Sequence, residues 1–357
     1  MKCSKQWFSL SIVASLCITS FLSGCGVNTK SSEHASKVTN ETIQLEETQI
    51  PGSDAGMEIY LRHKKPVNPT TQNEVVLFLE PFSVPTANAF DVSGYSWMDD
   101  LAGKGYDTWA MDFRGFGKST YPKEMDEPPQ SNKPVVTHKE ALQDLTTAID
   151  YIKKKQNVDK VNIVGWSFGS MVGAEYAIVK PEAVNKLVLY GFMNGFILPS
   201  MTKPFESEKT PGQFNPQAPA YQVIDFDTAM HHWHMMLDGR QLVTQDAMDG
   251  VRNVFNESDP MSKERKNHEI RRPMGPLQDL YSVWSNRPLY DLSKITSPVL
   301  VIYGDSDFFA EKNVLDKLPG TKIKKEVVIP EATHWAIYEK NRKKLLEETS
   351  QFLKQKQ

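Results

Sequence analysis

A serine at position 167, a pair of aspartates at 305 and 307 and a histidine at 334 follow one another along this chain. Together these side chains could do acyl transfer. A serine hydroxyl is a weak nucleophile until a base takes its proton and a third group orients the base. Ser167 lies in Gly165-Trp166-Ser167-Phe168-Gly169, a Gly-x-Ser-x-Gly pentapeptide. Small residues on either side of such a serine let the backbone turn sharply and expose the hydroxyl. The pentapeptide alone recurs by chance, so its surroundings matter. Before it runs Lys160-Val161-Asn162-Ile163-Val164, a short apolar strand, and after it Ser170 to Ala177 reads as a helix rich in small residues. A helix that starts there aims its first amides at the site, where they stabilise negative charge.

The acid and the base are placed in the same way. Val299 to Gly304 reads as a buried strand that ends in Asp305-Ser306-Asp307. Glu326 to Ile329 reads as another, followed by Pro330-Glu331-Ala332-Thr333-His334-Trp335. Serine, acid and base thus each follow the C-terminal end of a strand, the edge at which open parallel sheets bind ligands. The rest of the chain supports such a sheet. Val75 to Leu79 is a continuous apolar run, suited to a central strand buried on both faces. Glu58 to Arg62 and Lys186 to Tyr190 are further strands. Thr137 to Lys154 carries a helical apolar stripe, with Thr137 and Glu140 in capping-box spacing, and Glu339 to Lys354 is a closing helix. Strands alternating with helices predict an α/β domain, its mostly parallel sheet covered on both faces.

These residues resemble the α/β-hydrolase superfamily over roughly residues 55–195 and 288–356. Gly105 to Ser119, with its Asp112-Phe113-Arg114-Gly115-Phe116-Gly117-Lys118-Ser119 turn, is similar to the family's fourth strand and the turn after it, and Pro298 to Asp307 to its acid-bearing strand. The resemblance implies a serine hydrolase fold with Ser167 as nucleophile and His334 as base. It places the acid three residues after the strand-end glycine Gly304, at Asp307, with Asp305 as the alternative. It also implies an oxyanion hole made by the amides of Phe168 and Phe82. At the second of these the chain departs from the family, with Glu80-Pro81 where many relatives have His-Gly, and proline has no amide hydrogen. The implied activity is cleavage of an ester, thioester or amide, carboxylesterase- or lipase-like first, with no cofactor and no metal. An aminopeptidase and a cofactor-free haloperoxidase share the fold. A non-catalytic ligand-binding lipoprotein is the rival of another class. Epoxide hydrolases and haloalkane dehalogenases are disfavoured, because they use aspartate where Ser167 stands.

Residues 196–288 break the alternation. They are rich in proline, methionine and aromatics, with helical stretches near 225–237 and 244–255 and no clear strand, and they resemble a mainly helical inserted cap. Trp166, Met230 and Trp233 are expected at the substrate. Glu80, at the mouth of the oxyanion hole, either turns away to pair elsewhere or discourages anionic substrates. With the second reading, and with a cap of balanced charge dense in methionines and aromatics, a neutral, apolar ester or amide is the expected substrate. His231-His232-x-His234 lacks a matching acid or cysteine pattern and reads as cap packing or substrate contact rather than metal ligation. Gly115-Phe116-Gly117-Lys118-Ser119 is no phosphate loop, because Asp112 stands where the motif's first glycine belongs.

The net charge of −3 argues against nucleic-acid binding, which normally needs a basic surplus. At the N-terminus Lys2 and Lys5 precede an apolar stretch too short and too broken by serines for a membrane span, ending in Leu22-Ser23-Gly24-Cys25. This resembles a bacterial lipobox, with Cys25 the lipidated residue. The other cysteines, Cys3 and Cys17, lie before it, so the folded part carries no disulfide. The expected layout is a lipoprotein signal peptide at 1–24 and a polar tether at 25–45. The hydrolase core follows at 46–195 and 289–357, interrupted by the cap at 196–288. The expected location is the cell membrane, lipid-anchored on its extracytoplasmic side.

Overall fold

The computed structural model describes residues 43–65 and 74–355. The signal peptide, Cys25 and nearly all of the tether lie outside the described residues. Strand β1 (Gln44–Pro51) already begins at Gln44 and pairs antiparallel with β2 (Glu58–Lys65), so the folded part starts slightly before the expected boundary. Then come β3 (Val75–Leu79), helix α1 (Trp97–Ala102), β4 (Asp107–Met111), α2 (His138–Gln156), β5 (Val161–Trp166), α3 (Phe168–Val179) and β6 (Val184–Tyr190). The apolar runs of β3 and β5 are buried at every position, as strands in the middle of a covered sheet must be. Thr137 stands at the N-cap of α2, but its hydroxyl donates to the Glu140 carboxylate and accepts no helical amide, so the expected capping box is not completed; the first helical amide, that of His138, donates to Asp279 Oδ2 at 2.5 Å.

After β6 the chain leaves the sheet. The insertion holds α4 (Pro199–Thr202), β7 (Tyr221–Ile224), α5 (Phe226–Ala229), α6 (His231–Leu237), α7 (Gln245–Glu257), β8 (Ile270–Pro273) and α8 (Gly275–Trp284). It is mainly helical, as expected, but β7 and β8 form an antiparallel ribbon that the sequence does not announce. Each is four residues long, and Ile270-Arg271-Arg272-Pro273 has neither alternation nor strand-favouring composition.

The chain returns with β9 (Val299–Gly304), β10 (Lys324–Ile329) and α9 (Arg342–Lys354). The eight-stranded sheet runs β1-β2-β4-β3-β5-β6-β9-β10 and is parallel from β4 to β10. Helices α2 and α3 pack together on one face and α1 against α9 on the other. Parallel register brings the C-terminal ends of β3, β5, β6, β9 and β10 to one edge of the sheet, and the loops after these strands build the site.

Candidate active site

Ser167 occupies the turn between β5 and α3 with φ 56° and ψ −118°, a conformation that side-chain-bearing residues rarely adopt. Its amide donates to Tyr190 O at 2.8 Å, and its carbonyl accepts from Ser170 Oγ at 2.5 Å. These bonds hold the turn from both sides. Gly169 has no room for a side chain, since a Cβ there would stand 2.2 Å from the Leu79 carbonyl oxygen and 2.7 Å from that of Glu80. The serine turn is therefore seated directly on the backbone that leaves β3, and the loop bearing Phe82 is brought beside it. Ser167, Phe82 and His334 all line one cavity of about 660 Å³ between the core and the inserted segment.

His334 follows β10 and is almost fully buried. Its Nδ1 lies 2.8 Å from Asp307 Oδ2. Asp307 Oδ1 accepts the amides of Phe309 at 2.9 Å and Ala310 at 3.1 Å, which fixes the carboxylate plane. The alternative acid is differently engaged. Asp305 accepts the amides of Glu331 at 2.8 Å and Ala332 at 3.2 Å, and so ties together the loops after β9 and β10. Those amide bonds lower its pKa, against a partial desolvation that would raise it.

Several residues hold the imidazole. The His334 carbonyl accepts from Trp166 Nε1 at 3.0 Å and from Tyr190 Oη at 2.8 Å. The Phe309 ring stands edge-on to the imidazole at 5.2 Å. Gly191, at φ 57°, packs beneath it, and a Cβ there would come within 2.6 Å of His334 Cε1. Glu339 accepts the Thr333 amide at 2.8 Å, the Thr333 hydroxyl at 2.5 Å and Trp233 Nε1 at 2.9 Å, so one carboxylate binds the histidine loop to the inserted segment. Burial pushes its pKa up. Gly191, Phe309 and Glu339 were not singled out from the sequence. A glycine that follows a strand at the ligand-binding edge was the one available signal.

Three residues expected at the substrate lie elsewhere. Trp166, Met230 and Trp233 are fully buried and do not line the cavity. The Trp166 indole packs behind His334 and stacks on Tyr190 at 5.3 Å. Met230 and Trp233 share the inward side of α6 with Met236 and Leu237, as helical spacing requires, and Trp233 stacks on Trp335 at 5.4 Å. His231 and His232 of the same helix do line the cavity. Burial, then His231 and Arg272, push the His232 pKa down to about 4, so this ring is uncharged at neutral pH. The apolar lining comes instead from Met193, Met201, Phe205, Leu277, Leu280 and Trp284.

Of the expected oxyanion donors, Phe168 is the first residue of α3, so its amide has no acceptor within the helix. Phe82 lines the cavity beside Ser167. Glu80, however, is not at the mouth. It is fully buried behind the loop, and its Oε1 accepts the Phe113 amide at 2.6 Å. Loss of solvent, and then the neighbouring Asp112 carboxylate, push its pKa well above the usual carboxylate range. Glu80 therefore turns away to pair elsewhere and gives no ground for excluding an anionic substrate. A glutamate whose folded pKa exceeds its unfolded value binds more protons in the native state once pH passes the unfolded value, so its contribution to stability falls as pH rises. Glu80→Gln should therefore flatten the pH dependence of stability. Above about pH 4.5 the variant should gain on the wild type by up to about 1.4 kcal/mol per pH unit until Glu80 itself ionises. Urea unfolding at pH 5 and pH 8 checks this, and a constant difference between the two proteins at both values refutes it.

Comparison with known proteins agrees with this geometry. The family model described as alpha/beta hydrolase fold matches residues 89–341. Epoxide hydrolase 4 of Homo sapiens is 25% identical over 257 residues, an alignment covering 68% of this chain and 64% of that protein. The Mus musculus protein of the same name is 24% identical over 259 residues, with the same coverage. The chain thus spans a little under two thirds of the length of these relatives. Among solved structures, 2-hydroxy-6-oxo-6-phenylhexa-2,4-dienoate hydrolase from Rhodococcus sp. strain RHA1 superposes with a TM-score of 0.57 at 17% identity, covering 88% of this chain and 100% of that one. The epoxide hydrolase VrEH1 from Vigna radiata does so with a TM-score of 0.54 at 16% identity, covering 87% and 98%. At such identities the structural likeness speaks for the fold alone. The match of the family model over most of the chain, on the serine turn, parallel sheet and inserted segment described above, means that this protein belongs to the α/β-hydrolase family.

Proposed function

We propose that this protein is a serine hydrolase that cleaves an ester, thioester or amide through an acyl-enzyme, with carboxylesterase- or lipase-like action foremost. The observation that carries this reading is the pairing of His334 Nδ1 with Asp307 Oδ2 at 2.8 Å on the wall of the cavity that Ser167 also lines. In this reading His334 Nε2 takes the proton of Ser167 Oγ as the oxygen attacks the acyl carbonyl, and then gives it to the leaving group. Asp307 holds the tautomer and offsets the charge that forms on the ring. The amides of Phe168 and Phe82 receive the oxyanion. Water then repeats the sequence on the acyl-enzyme and releases the acid. The two relatives compared above are named as epoxide hydrolases, but a serine at the nucleophile position favours acyl transfer over opening of an epoxide ring. A fluorophosphonate probe tests the reading, since it labels only an activated serine. Labelling at Ser167 is expected, and an inert Ser167 in folded protein removes the proposal.

The apolar lining favours a substrate with an apolar acyl or alcohol portion, each buried methylene adding about 0.8 kcal/mol until the cavity is filled. We further propose that Cys25 carries a lipid that holds the protein at the extracytoplasmic face of the membrane. The support is the Leu22-Ser23-Gly24-Cys25 motif together with the polar stretch after it. None of the described helices is long and apolar enough to cross a membrane. Cys25→Ala should move the protein out of the membrane fraction. Unchanged sedimentation with membranes would show that something other than the lipid anchors it.

A further inference from the structure

Arg272, on β8, lines the cavity and is only 7% exposed. Its neighbours on the same side of the molecule are matched with acids. Arg271 pairs with Asp259 and Asp126, and Arg265 with Asp259. Arg272 forms no ion pair with any carboxylate among the described residues, although it is the more deeply buried cation. Of the charged groups on the cavity wall, Asp227 is engaged by Arg252 at 2.7 Å, and His232 is uncharged. The guanidinium lies 4.0 Å above the Phe82 ring, and its Nη1 donates to Phe82 O at 3.3 Å. With the Gln222 amide oxygen turned toward it, Nη2 and Nε donate there at 2.9 and 3.1 Å. A guanidinium has five N–H donors. Three are engaged here, which leaves one on each terminal nitrogen to meet an anion.

Loss of solvent alone pushes the arginine pKa down to about 9, with no acid to offset it. A buried charge without a partner is costly, and native proteins seldom keep one that has no use. Its place is informative too. Arg272 holds the carbonyl of the residue whose amide is proposed for the oxyanion hole, and it lines the same cavity as Ser167.

We propose that Arg272 is the anchor for a carboxylate on the substrate, so that the enzyme acts on esters or amides carrying a free acid group beside an apolar portion. This rests on the acyl-hydrolase reading of the same cavity and replaces the expected neutral substrate. The apolar walls take the hydrocarbon part, and the guanidinium fixes the end of the molecule and hence which carbonyl meets Ser167.

The test compares 4-phenylbutyrate with 4-phenylbutyramide, which differ at one group. Binding is measured by calorimetry on the full chain carrying Ser167→Ala, so that nothing is turned over. The acid should bind at least ten-fold more tightly than the amide, and Arg272→Gln in the same background should bring the ratio close to one, as loss of a charge-assisted hydrogen bond requires. Equal affinity of the parent for acid and amide overturns the proposal, and this measurement needs no arginine variant to fold. Weakening of both ligands alike in Arg272→Gln also overturns it, since the side chain then merely braces Phe82. Fluorophosphonate labelling of the wild type separates the two readings. A labelled serine without acid preference defeats the anchor alone, and acid preference in a protein whose serine stays unlabelled defeats the assignment of the anion as substrate together with the hydrolase reading.

Discussion

Ser167→Ala is expected to lower turnover of any accepted ester by about 10⁵- to 10⁶-fold, because nucleophile, base and orienting acid act as one unit and loss of the first disables the rest. The substitution should leave the fold in place. The bonds that hold the turn run through the Ser167 backbone, from its amide to Tyr190 O and from Ser170 Oγ to its carbonyl, and alanine keeps both. The positive φ at this position is no harder for alanine than for serine. The measurement is kcat alongside a thermal melt. More than about 1% of wild-type turnover in a variant with an unchanged melting temperature would mean that the reaction does not pass through Ser167.

The acid comes next in size of effect. Asp307→Asn should cost about 10⁴-fold in kcat, the loss seen when the same change is made in a serine protease, because an amide nitrogen facing Nδ1 forces the wrong tautomer on the imidazole. The asparagine oxygen can still accept the Phe309 and Ala310 amides, so the loop keeps its shape and the loss belongs to the chemistry. Asp305→Asn should cost less than about ten-fold, since that carboxylate receives the amides of Glu331 and Ala332 and makes no contact with His334. Placing the two variants in the opposite order would move the acid's role to Asp305.

The parts of the site legible in the sequence were those that local rules dictate. A glycine on either side of Ser167, an apolar run before it and an acid or histidine just past the end of a strand are all short-range patterns, and the structure brings Ser167 and His334 to one cavity and Asp307 onto His334. What could not be read depends on contacts between distant segments. Arg272 reaches the cavity through a four-residue strand paired across the insertion, and nothing in Arg271-Arg272-Pro273 says which arginine meets an acid and which does not. Trp166, Met230 and Trp233 are expected at the substrate, but which side chains of an insertion face the cleft is set by its packing. Strand and helix geometry turned Trp166 and Trp233 inward, where they brace the histidine loop. Glu80 was misplaced for a similar reason, since only the packed structure shows that the Phe113 amide draws it behind the sheet edge.

The Glu339 clamp bears on how molecules reach Ser167. Lifting the insertion as a rigid lid would break the Trp233–Glu339 hydrogen bond and part the Trp233–Trp335 stack, right beside the imidazole. Traffic by that route would disturb the loop that carries His334. Part of the cavity wall is exposed. There Asp227, Thr228 and His231 line the cavity while remaining open to water. Passage beside these exposed side chains would call on rotamer changes, which occur in picoseconds to nanoseconds, rather than on lid opening in microseconds to milliseconds. With the clamp closed, the histidine loop and the insertion stay joined while the exposed side chains of Asp227, Thr228 and His231 leave the cavity open to water.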